Sequence, residues 1–174
     1  SGPTTVDDAN QRLILEAISC ARERIFITTP YFVPGETIIL ALQNAAMRGV
    51  DVHVCIPRRP DSQFVRWASR RYFSDLMKSG VKLAFFTDGL LHTKAITVDA
   101  TFSLFGTVNL DKRSLHLNFE MMLLIFDTQF VADMTALHRR YEARSVAIDP
   151  QRWHKRSLWQ RFLEGASYLL SPLL

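Results

Sequence analysis

The stretch 24–57, RIFITTPYFVPGETIILALQNAAMRGVDVHVCIP, decides the fold. Its first segment, RIFITTPYF, is rich in β-branched and aromatic residues and contains Pro30, which predicts a strand running into a loop. Residues 35–48 have a helical apolar pattern that ends at Gly49, and VDVHVCI then predicts a second strand, closed by Pro57. The order strand, helix, strand predicts a βαβ unit.

The flanking residues extend this unit into a domain. Apolar periodicity predicts helices over 6–24, 61–79 and 128–146, and VKLAFF predicts another strand. The segments HTKAITVD, TFSLFG and FEMMLLIFD predict three further strands whose short connections favour antiparallel pairing. We therefore expect residues 1–150 to form one α/β domain with a mixed central β-sheet flanked by helices on both faces.

Residues 151–174 have a different character. Over residues 157–170 the apolar side chains share one face of a helix and the polar side chains the other, which predicts a C-terminal amphipathic helix. Trp153 and Trp159 stand beside basic residues, as in helices that lie in a membrane interface. Docking on the domain's own core and contact with a membrane surface both fit this pattern.

Composition limits the function classes only loosely. The chain has 174 residues, of which 48% are hydrophobic, and a net charge of +4, which favours anionic partners without choosing among phosphates, nucleic acid and lipid. Cys20 and Cys55 lack the spacing of a zinc site, so we expect two buried free thiols and no metal. No apolar run reaches the roughly 18 residues that a membrane-spanning helix needs.

The stretch 91–109, LHTKAITVDATFSLFGTVN, contains several polar residues that could take part in catalysis. On the predicted strand, His92 and Lys94 are two residues apart and project from the same face. Two cationic groups that share a face repel each other unless an anion lies between them, and a phosphate group fits that place. Gly106 permits a close backbone approach, and Thr107 and Asn109 offer neutral donors to phosphoryl oxygens.

The spacing of these residues is that of a known signature. His-x-Lys, four residues, Asp, six residues, Gly-Thr-x-Asn resembles the HKD motif of the phospholipase D superfamily, with Thr107 where that family usually has serine. The segments TTPYFVP, AAMRGVDVHVCIP, NLDKRSLHLNFE and SPLL resemble, more narrowly, the C-terminal half of bacterial cardiolipin synthases.

This resemblance implies an α-β-α sandwich and a reaction. The family transfers a phosphatidyl group between two glycerophospholipids through a covalent phosphohistidine, without a metal ion or other cofactor. We therefore expect phosphatidylglycerol or a similar phospholipid as substrate, and a peripheral position for this segment on the anionic surface of a bacterial cytoplasmic membrane. Nucleic acid is not an expected partner.

The family's active site combines two HKD motifs, and this sequence has one. The second motif would come either from the N-terminal half of a longer chain or from the mate in a homodimer. Two rival functions remain open. One is a dimeric endonuclease or phosphodiesterase of the same superfamily, and the other is a non-catalytic module that binds phosphate or membrane.

Roles for the motif residues follow from their chemistry and from the resemblance. The resemblance gives His92 the role of general acid and base, while Lys94 and Asn109 would hold phosphoryl oxygens and offset charge in the transition state. Asp99 would face the opposite side of an unbroken strand, so we expect it to tie the strand to a neighbouring loop. Glu120 is expected to orient the histidine, as an acidic residue on a later strand does in this superfamily.

Three further residues are candidates for substrate contact. Arg113 is expected to brace the loop beneath Asn109, together with Asp111 and Ser114, and to touch phosphate. Tyr31 and Phe32 are expected to line the mouth of the pocket, although an aromatic pair after a strand also fits a core.

A second basic region follows the βαβ unit, in PRRPDSQFVRWASRRYF. Its arginines alternate with aromatic residues, a pattern that suits lipid phosphates or a nucleic acid backbone and equally suits a solvated helix face. The arginines are Arg58, Arg59, Arg66, Arg70 and Arg71.

Overall fold

A computed structural model describes residues 8–154 of the chain. The helices are Ala9–Cys20 (α1), Glu36–Met47 (α2), Gln63–Lys78 (α3), Lys112–His116 (α4), Thr128–Ala143 (α5) and Pro150–His154 (α6). The strands are Arg24–Thr28 (β1), Phe32–Val33 (β2), Asp51–Pro57 (β3), Lys82–Phe86 (β4), Ala95–Val98 (β5), Phe102–Gly106 (β6), Leu110–Asp111 (β7), Met122–Ile125 (β8) and Ser145–Ala147 (β9).

Seven strands form one mixed sheet in the order β8-β6-β5-β1-β3-β4-β9. β1, β3 and β4 are parallel, with Arg24 opposite Asp51 and His53 opposite Lys82, so the predicted βαβ unit is confirmed. The remaining pairings in this sheet are antiparallel. β2 and β7 form a separate parallel pair, in which Phe32 lies opposite Leu110.

Helices cover both faces of the large sheet, as the sequence predicted. Ile25 and Ile27 of β1 point to the face covered by α1 and α2, where they join the main hydrophobic core. Phe26 and Thr28 point to the other face and contact His138 of α5. This alternation places a layer of helix on each side of the sheet, and the result is an α-β-α sandwich.

Several predicted bounds were wrong. The HTKAITVD segment becomes a strand only at Ala95, so His92 and Lys94 lie in the loop before β5. The helix predicted to reach residue 146 ends at Ala143, and β9 follows it because Val146 pairs with Phe85 at the edge of the sheet. The tertiary pairing therefore overrides the local helical pattern there.

Two predictions of side-chain environment also need correction. Trp153, which the sequence suggested for a membrane interface, is 8% exposed and packs against Phe73 and Phe85. Both thiols are free, but Cys20 is exposed and only Cys55 is buried. The amphipathic helix expected over 157–170 lies outside the described residues. Across the part of the chain that the structure describes, no helix is both long and apolar enough to cross a bilayer.

A buried histidine that the sequence did not reveal connects the sheet to α5. His138 is 2% exposed, with Nδ1 at 2.8 Å from Thr28 Oγ1 and Nε2 at 3.1 Å from Thr97 Oγ1. Thr97 in turn hydrogen-bonds Ser103 at 2.9 Å, so the network crosses β1, β5 and β6. Burial lowers the pKa of His138 to about 4 and keeps the ring neutral in the folded protein at neutral pH.

We predict that His138 makes the domain lose stability in acid. The unfolded chain binds a proton at this ring near pH 6.5 and the folded protein only near pH 4, so acidification across that interval favours unfolding. A shift of this size corresponds to at most about 3 kcal/mol. Denaturant unfolding of wild type and His138→Gln at a series of pH values should show a flatter curve for the variant between those limits. Parallel curves would contradict the assignment.

Asp99 fixes the start of β1 to the end of β5. One of its carboxylate oxygens accepts hydrogen bonds from the amides of Glu23 and Arg24 at 2.9 and 2.7 Å, and the other accepts from Arg22 at 3.0 Å. Its backbone has φ of 52°, a left-handed conformation that Asp and Asn tolerate better than most residues. The carboxylate is thus committed to the backbone of a neighbouring loop.

Asp99→Asn should lower the free energy of unfolding by about 1–3 kcal/mol, because an amide keeps one acceptor oxygen and the left-handed backbone but loses the charge-assisted bonds. Equilibrium unfolding measures the change. Asp75→Asn is the matched control, since it removes only an exposed ion pair with Lys78. A variant of Asp99 with unchanged stability would show that the three amide contacts contribute nothing.

Candidate active site

The reactive groups of His92 and Lys94 lie side by side. Lys94 Nζ is 3.2 Å from His92 Nδ1 and 3.5 Å from Nε2, and it donates to the His92 carbonyl oxygen at 2.9 Å. His92 is exposed and Lys94 is half-buried. The pair therefore projects to one side of the loop, as expected of a strand pair, although the backbone there is not a strand.

The surroundings of Lys94 set the electrostatics of the site. Partial burial lowers the pKa of Lys94 by withdrawing the ammonium from water, while negative charge on Glu120, Asp111 and Asp61 acts in the opposite direction. These carboxylates come from three separate segments of the chain. The fold thus surrounds one cation with acidic groups that favour its charged form.

The start of α4 holds the side chain of Asn109. Asp111 caps the helix by accepting from the Ser114 amide at 2.7 Å, and Asn109 Nδ2 donates to Ser114 Oγ at 3.1 Å. Asn109 Oδ1 is buried and accepts no hydrogen bond from the residues that the structure describes. The Ser114 hydroxyl in turn donates to Asp111 Oδ2 at 3.4 Å, so Asn109, Ser114 and Asp111 form one hydrogen-bonded chain, and the expected contact of Asn109 with phosphate stays a prediction.

Asp111 is itself nearly buried. Burial raises its pKa, and the charge of Glu120 adds to this effect, whereas hydrogen bonds from Ser114 oppose it. The loop beneath Asn109 is therefore braced by Asp111 and Ser114, in the arrangement that the sequence suggested. Arg113 contributes through its carbonyl oxygen, which accepts from the amides of Leu117 and Asn118.

Close packing of β6 against the start of β8 brings Glu120 to the site. A Cβ on Gly106 would lie 2.1 Å from the Met121 carbonyl oxygen, so only glycine fits. The Thr107 amide donates to that oxygen at 2.9 Å, and Thr107 Oγ1 accepts from the Met121 amide at 3.0 Å. The Thr107 hydroxyl therefore anchors the neighbouring segment, and its contact with phosphate stays a prediction.

Glu120 lies in a short polar chain. Asn118 Nδ2 donates to Glu120 Oε1 at 3.2 Å, and Arg113 Nε lies 3.4 Å from Asn118 Oδ1. Together with its effect on Lys94, this places Glu120 within the site. Its expected pairing with the histidine stays a prediction.

Tyr31 and Phe32 differ in burial. Tyr31 is partly buried and packs against the hydrophobic core, and its expected place at the pocket mouth stays a prediction. The Tyr31 hydroxyl donates to Asp61 at 2.6 Å, and burial, that hydrogen bond and the nearby charges of Asp61 and Asp111 raise the pKa of Tyr31 to about 12. Phe32 is 1% exposed and belongs to the hydrophobic core, so its expected place at the pocket mouth was wrong. Asp61 belongs to no sequence motif, and its place beside Tyr31 is seen only in the tertiary structure.

The basic region divides in a similar way. The Arg70 guanidinium lies 4.9 Å from the Trp67 ring centre and 5.6 Å from that of Trp153, so it packs on aromatic rings. Arg58 and Arg59 are exposed at the end of β3. Within residues 8–154, no three His, Cys, Asp or Glu side chains lie close enough together to hold a metal ion.

The site is open to the surface. The cavity lined by Lys94, Thr29 and Leu110 has a volume of only about 10 Å³, barely enough for one water molecule. A phosphodiester that reaches His92 and Lys94 must therefore lie above them, where this domain alone supplies few walls.

Solved structures share this fold. Nuc from Salmonella typhimurium, a phospholipase D family member, aligns with a TM-score of 0.70 at 24% identity, over 79% of this chain and 90% of that protein. Phosphatidylserine synthase from Haemophilus influenzae aligns with a TM-score of 0.74 at 20% identity, over 100% of this chain and 46% of that one. At these identities the likeness concerns the fold.

Sequence relatives are much closer. Cardiolipin synthase A from Yersinia pseudotuberculosis is 49% identical over 174 residues, and that from Salmonella arizonae is 51% identical. This chain is covered completely in both comparisons but spans only 36% of either relative's length. Residues 14–141 match the family described as cardiolipin synthase, PLD-like domain, and the chain therefore belongs to that family.

Proposed function

We propose that this chain supplies the second of two HKD motifs in an enzyme that transfers a phosphatidyl group between glycerophospholipids to make cardiolipin. The observation that carries the proposal is the contact between His92 Nδ1 and Lys94 Nζ, 3.2 Å apart, in a chain of the cardiolipin synthase family. A nucleophilic or acid-base imidazole next to a fixed cation is the arrangement that phosphoryl transfer without a metal requires.

The chemistry needs two imidazoles. One attacks phosphorus as the neutral base, the bond from phosphorus to the departing glycerol oxygen breaks, and that oxygen takes a proton from the other imidazole as imidazolium. The acceptor's hydroxyl then gives its proton to that second imidazole and attacks phosphorus, and the bond from phosphorus to the first imidazole breaks, which releases that imidazole in its neutral form. We assign His92 to the acid-base role, while Lys94 and Asn109 bind the phosphoryl oxygens.

The apolar edge beside the site gives the missing half a place to dock. β8 is the last strand of the sheet at this end, and it begins two residues after Glu120. Large hydrophobic side chains are exposed along it and in the segments that flank it. These are Phe105, Leu117, Phe119, Met121, Leu123, Leu124 and Phe126. Leu123 and Leu124 are consecutive on the strand and point to opposite faces, so these side chains lie on both sides of the sheet edge. Exposed apolar area of this extent suits an interaction with another domain.

We propose that this surface packs against the other HKD half, most of which would lie in the part of the relatives' length that this chain does not span. Docking there would place a second imidazole opposite His92 and wall in the open site. The substrate would be an anionic phospholipid such as phosphatidylglycerol, and the complete protein would work at the bacterial cytoplasmic membrane, with this segment peripheral to it.

His92→Asn in the full-length protein should reduce cardiolipin formation by about 100- to 10,000-fold, because asparagine can neither attack phosphorus nor relay a proton. Product is measured by mass spectrometry after incubation with phosphatidylglycerol in mixed micelles. His116→Asn is the matched control, since His116 lies on α4 and its Nδ1 is 2.9 Å from Asp8 Oδ1.

The outcomes separate the rival functions. Near-normal synthesis by the His92→Asn protein would sink the proposal. Cleavage of DNA by this chain alone would favour the endonuclease, and phosphate binding without turnover by the full-length protein would favour the non-catalytic module.

Phe119→Glu with Met121→Glu should lower activity of the full-length protein by more than about 10-fold, because charges on these side chains would be desolvated in the proposed interface. The two side chains are 76% and 60% exposed, so the domain itself should stay folded by circular dichroism. Leu40→Glu with Met47→Glu on α2, 55% and 75% exposed, is the matched control. Equal activity of both pairs would rule out this surface.

A further inference from the structure

A second cleft lies at the carboxyl ends of β3 and β4. Among the described residues it is lined by Arg58, Arg59, Phe86, Thr87 and Gly89, and its volume is about 490 Å³. This volume lies within the range of about 300–1,000 Å³ that is usual for small-molecule sites. Ligands of open α/β sheets characteristically bind outside the carboxyl ends of the strands.

Backbone hydrogen bonds fix the walls of the cleft. The Arg58 amide donates to the Phe86 carbonyl oxygen at 3.0 Å, which ties the two strand ends together. The Thr87 amide and hydroxyl both donate to the Arg144 carbonyl oxygen, at 3.2 and 3.0 Å. Gly89 then turns the chain with φ of 89°, a conformation that favours glycine. The cleft is therefore part of the folded framework.

The two arginines leave the cleft positively charged. Neither guanidinium forms an ion pair within the described residues 8–154, although acidic side chains lie near in sequence. Asp88 is paired with Arg144 at 3.3 Å, and Asp61 accepts from the Tyr31 hydroxyl at 2.6 Å. A pair of uncompensated guanidinium groups suits the planar, bidentate recognition of phosphate oxygens.

The cleft and the HKD loop lie close together in the fold. Residues 86–89 of the cleft wall lead within a few residues to His92, and Leu91 packs with Phe86 and Cys55 in a small buried cluster. On the other side, Arg58 and Arg59 precede Asp61, whose charge acts on Lys94. A headgroup held in the cleft would therefore be near the reactive loop.

We propose that the Arg58–Arg59 cleft binds the phosphodiester headgroup of the second glycerophospholipid, the one whose phosphorus does not react. This inference rests on the proposed function, because transfer between two anionic lipids brings two phosphate groups to one place. His92 and Lys94 receive the reacting phosphate. The other phosphate is repelled by the first, and the two arginines offset that repulsion while presenting the acceptor hydroxyl to the phosphohistidine.

The test compares two acceptors in the full-length protein. Arg58→Gln with Arg59→Gln should raise KM for phosphatidylglycerol as acceptor by about 10-fold or more, since each lost charge-assisted contact weakens binding. Transfer of the same phosphatidyl group to glycerol, a neutral acceptor, should change by less than about 2-fold. Arg139→Gln with Arg140→Gln is the matched control, because it removes the same charge from two adjacent exposed positions of α5. An unchanged KM, or equal loss with both acceptors, would overturn the proposal.

A binding measurement keeps this test separate from catalysis. Glycerophosphoglycerol, a soluble headgroup diester, is titrated by calorimetry into the inactive His92→Asn protein, with and without the Arg58 and Arg59 substitutions. We expect the substitutions to weaken binding by about 10-fold while the melting temperature stays constant. Inorganic phosphate binding more tightly than the diester would overturn the lipid headgroup in favour of free phosphate. A further outcome is that the wild-type protein forms no cardiolipin while binding of the diester still requires both arginines. That result would overturn the proposed function and support the proposed anion site.

Discussion

The ammonium group of Lys94 is partly withdrawn from water, which disfavours its charged form. The proposed binding of phosphate requires that Lys94 stay protonated in this position. Glu120, Asp111 and Asp61 oppose the effect of burial, and each stands on a different segment of the chain. Any displacement of β8, α4 or the loop after β3 therefore changes the electrostatics at Lys94. The overall fold is coupled to the chemistry through this one cation.

The same arrangement bears on the proposal that a second HKD half completes the site. Acidic groups on three segments of the protein act on Lys94, whereas His92 is exposed. An anion bound beside His92 would be poorly shielded from water, and electrostatic stabilisation of a transition state is strongest where water is excluded. In the proposed complex, a second domain docked on the exposed apolar side chains along β8 would provide that exclusion.

The sequence predicted the features that depend on local pattern. The βαβ unit, the close approach at Gly106 and the commitment of Asp99 to a neighbouring loop all follow from residue type and spacing. Contacts between distant segments left no such signal. Asp61 reaches Tyr31 across thirty residues, and His138 reaches Thr28 across one hundred and ten, so neither could be assigned before the fold was known. The environment of Trp153 also depends on distant contacts. An aromatic ring beside basic residues suits both a membrane interface and a core, and only the fold shows that Trp153 packs against Phe73.

The distribution of arginines shows how one sequence pattern serves two physical purposes. The Arg70 guanidinium makes cation–π contacts with the rings of Trp67 and Trp153. Its aliphatic stem covers apolar surface. Arg58 and Arg59, only a few residues earlier, stand at the end of a strand with no aromatic partner described and with the neighbouring carboxylates already engaged. Helix position, and not composition, separates the packing cation from the ligand-binding cation. Under the proposed transfer between two anionic lipids, a cation of the second kind would be needed near the reactive histidine, and the turn from β3 into α3 holds two exposed arginines that could fill this role.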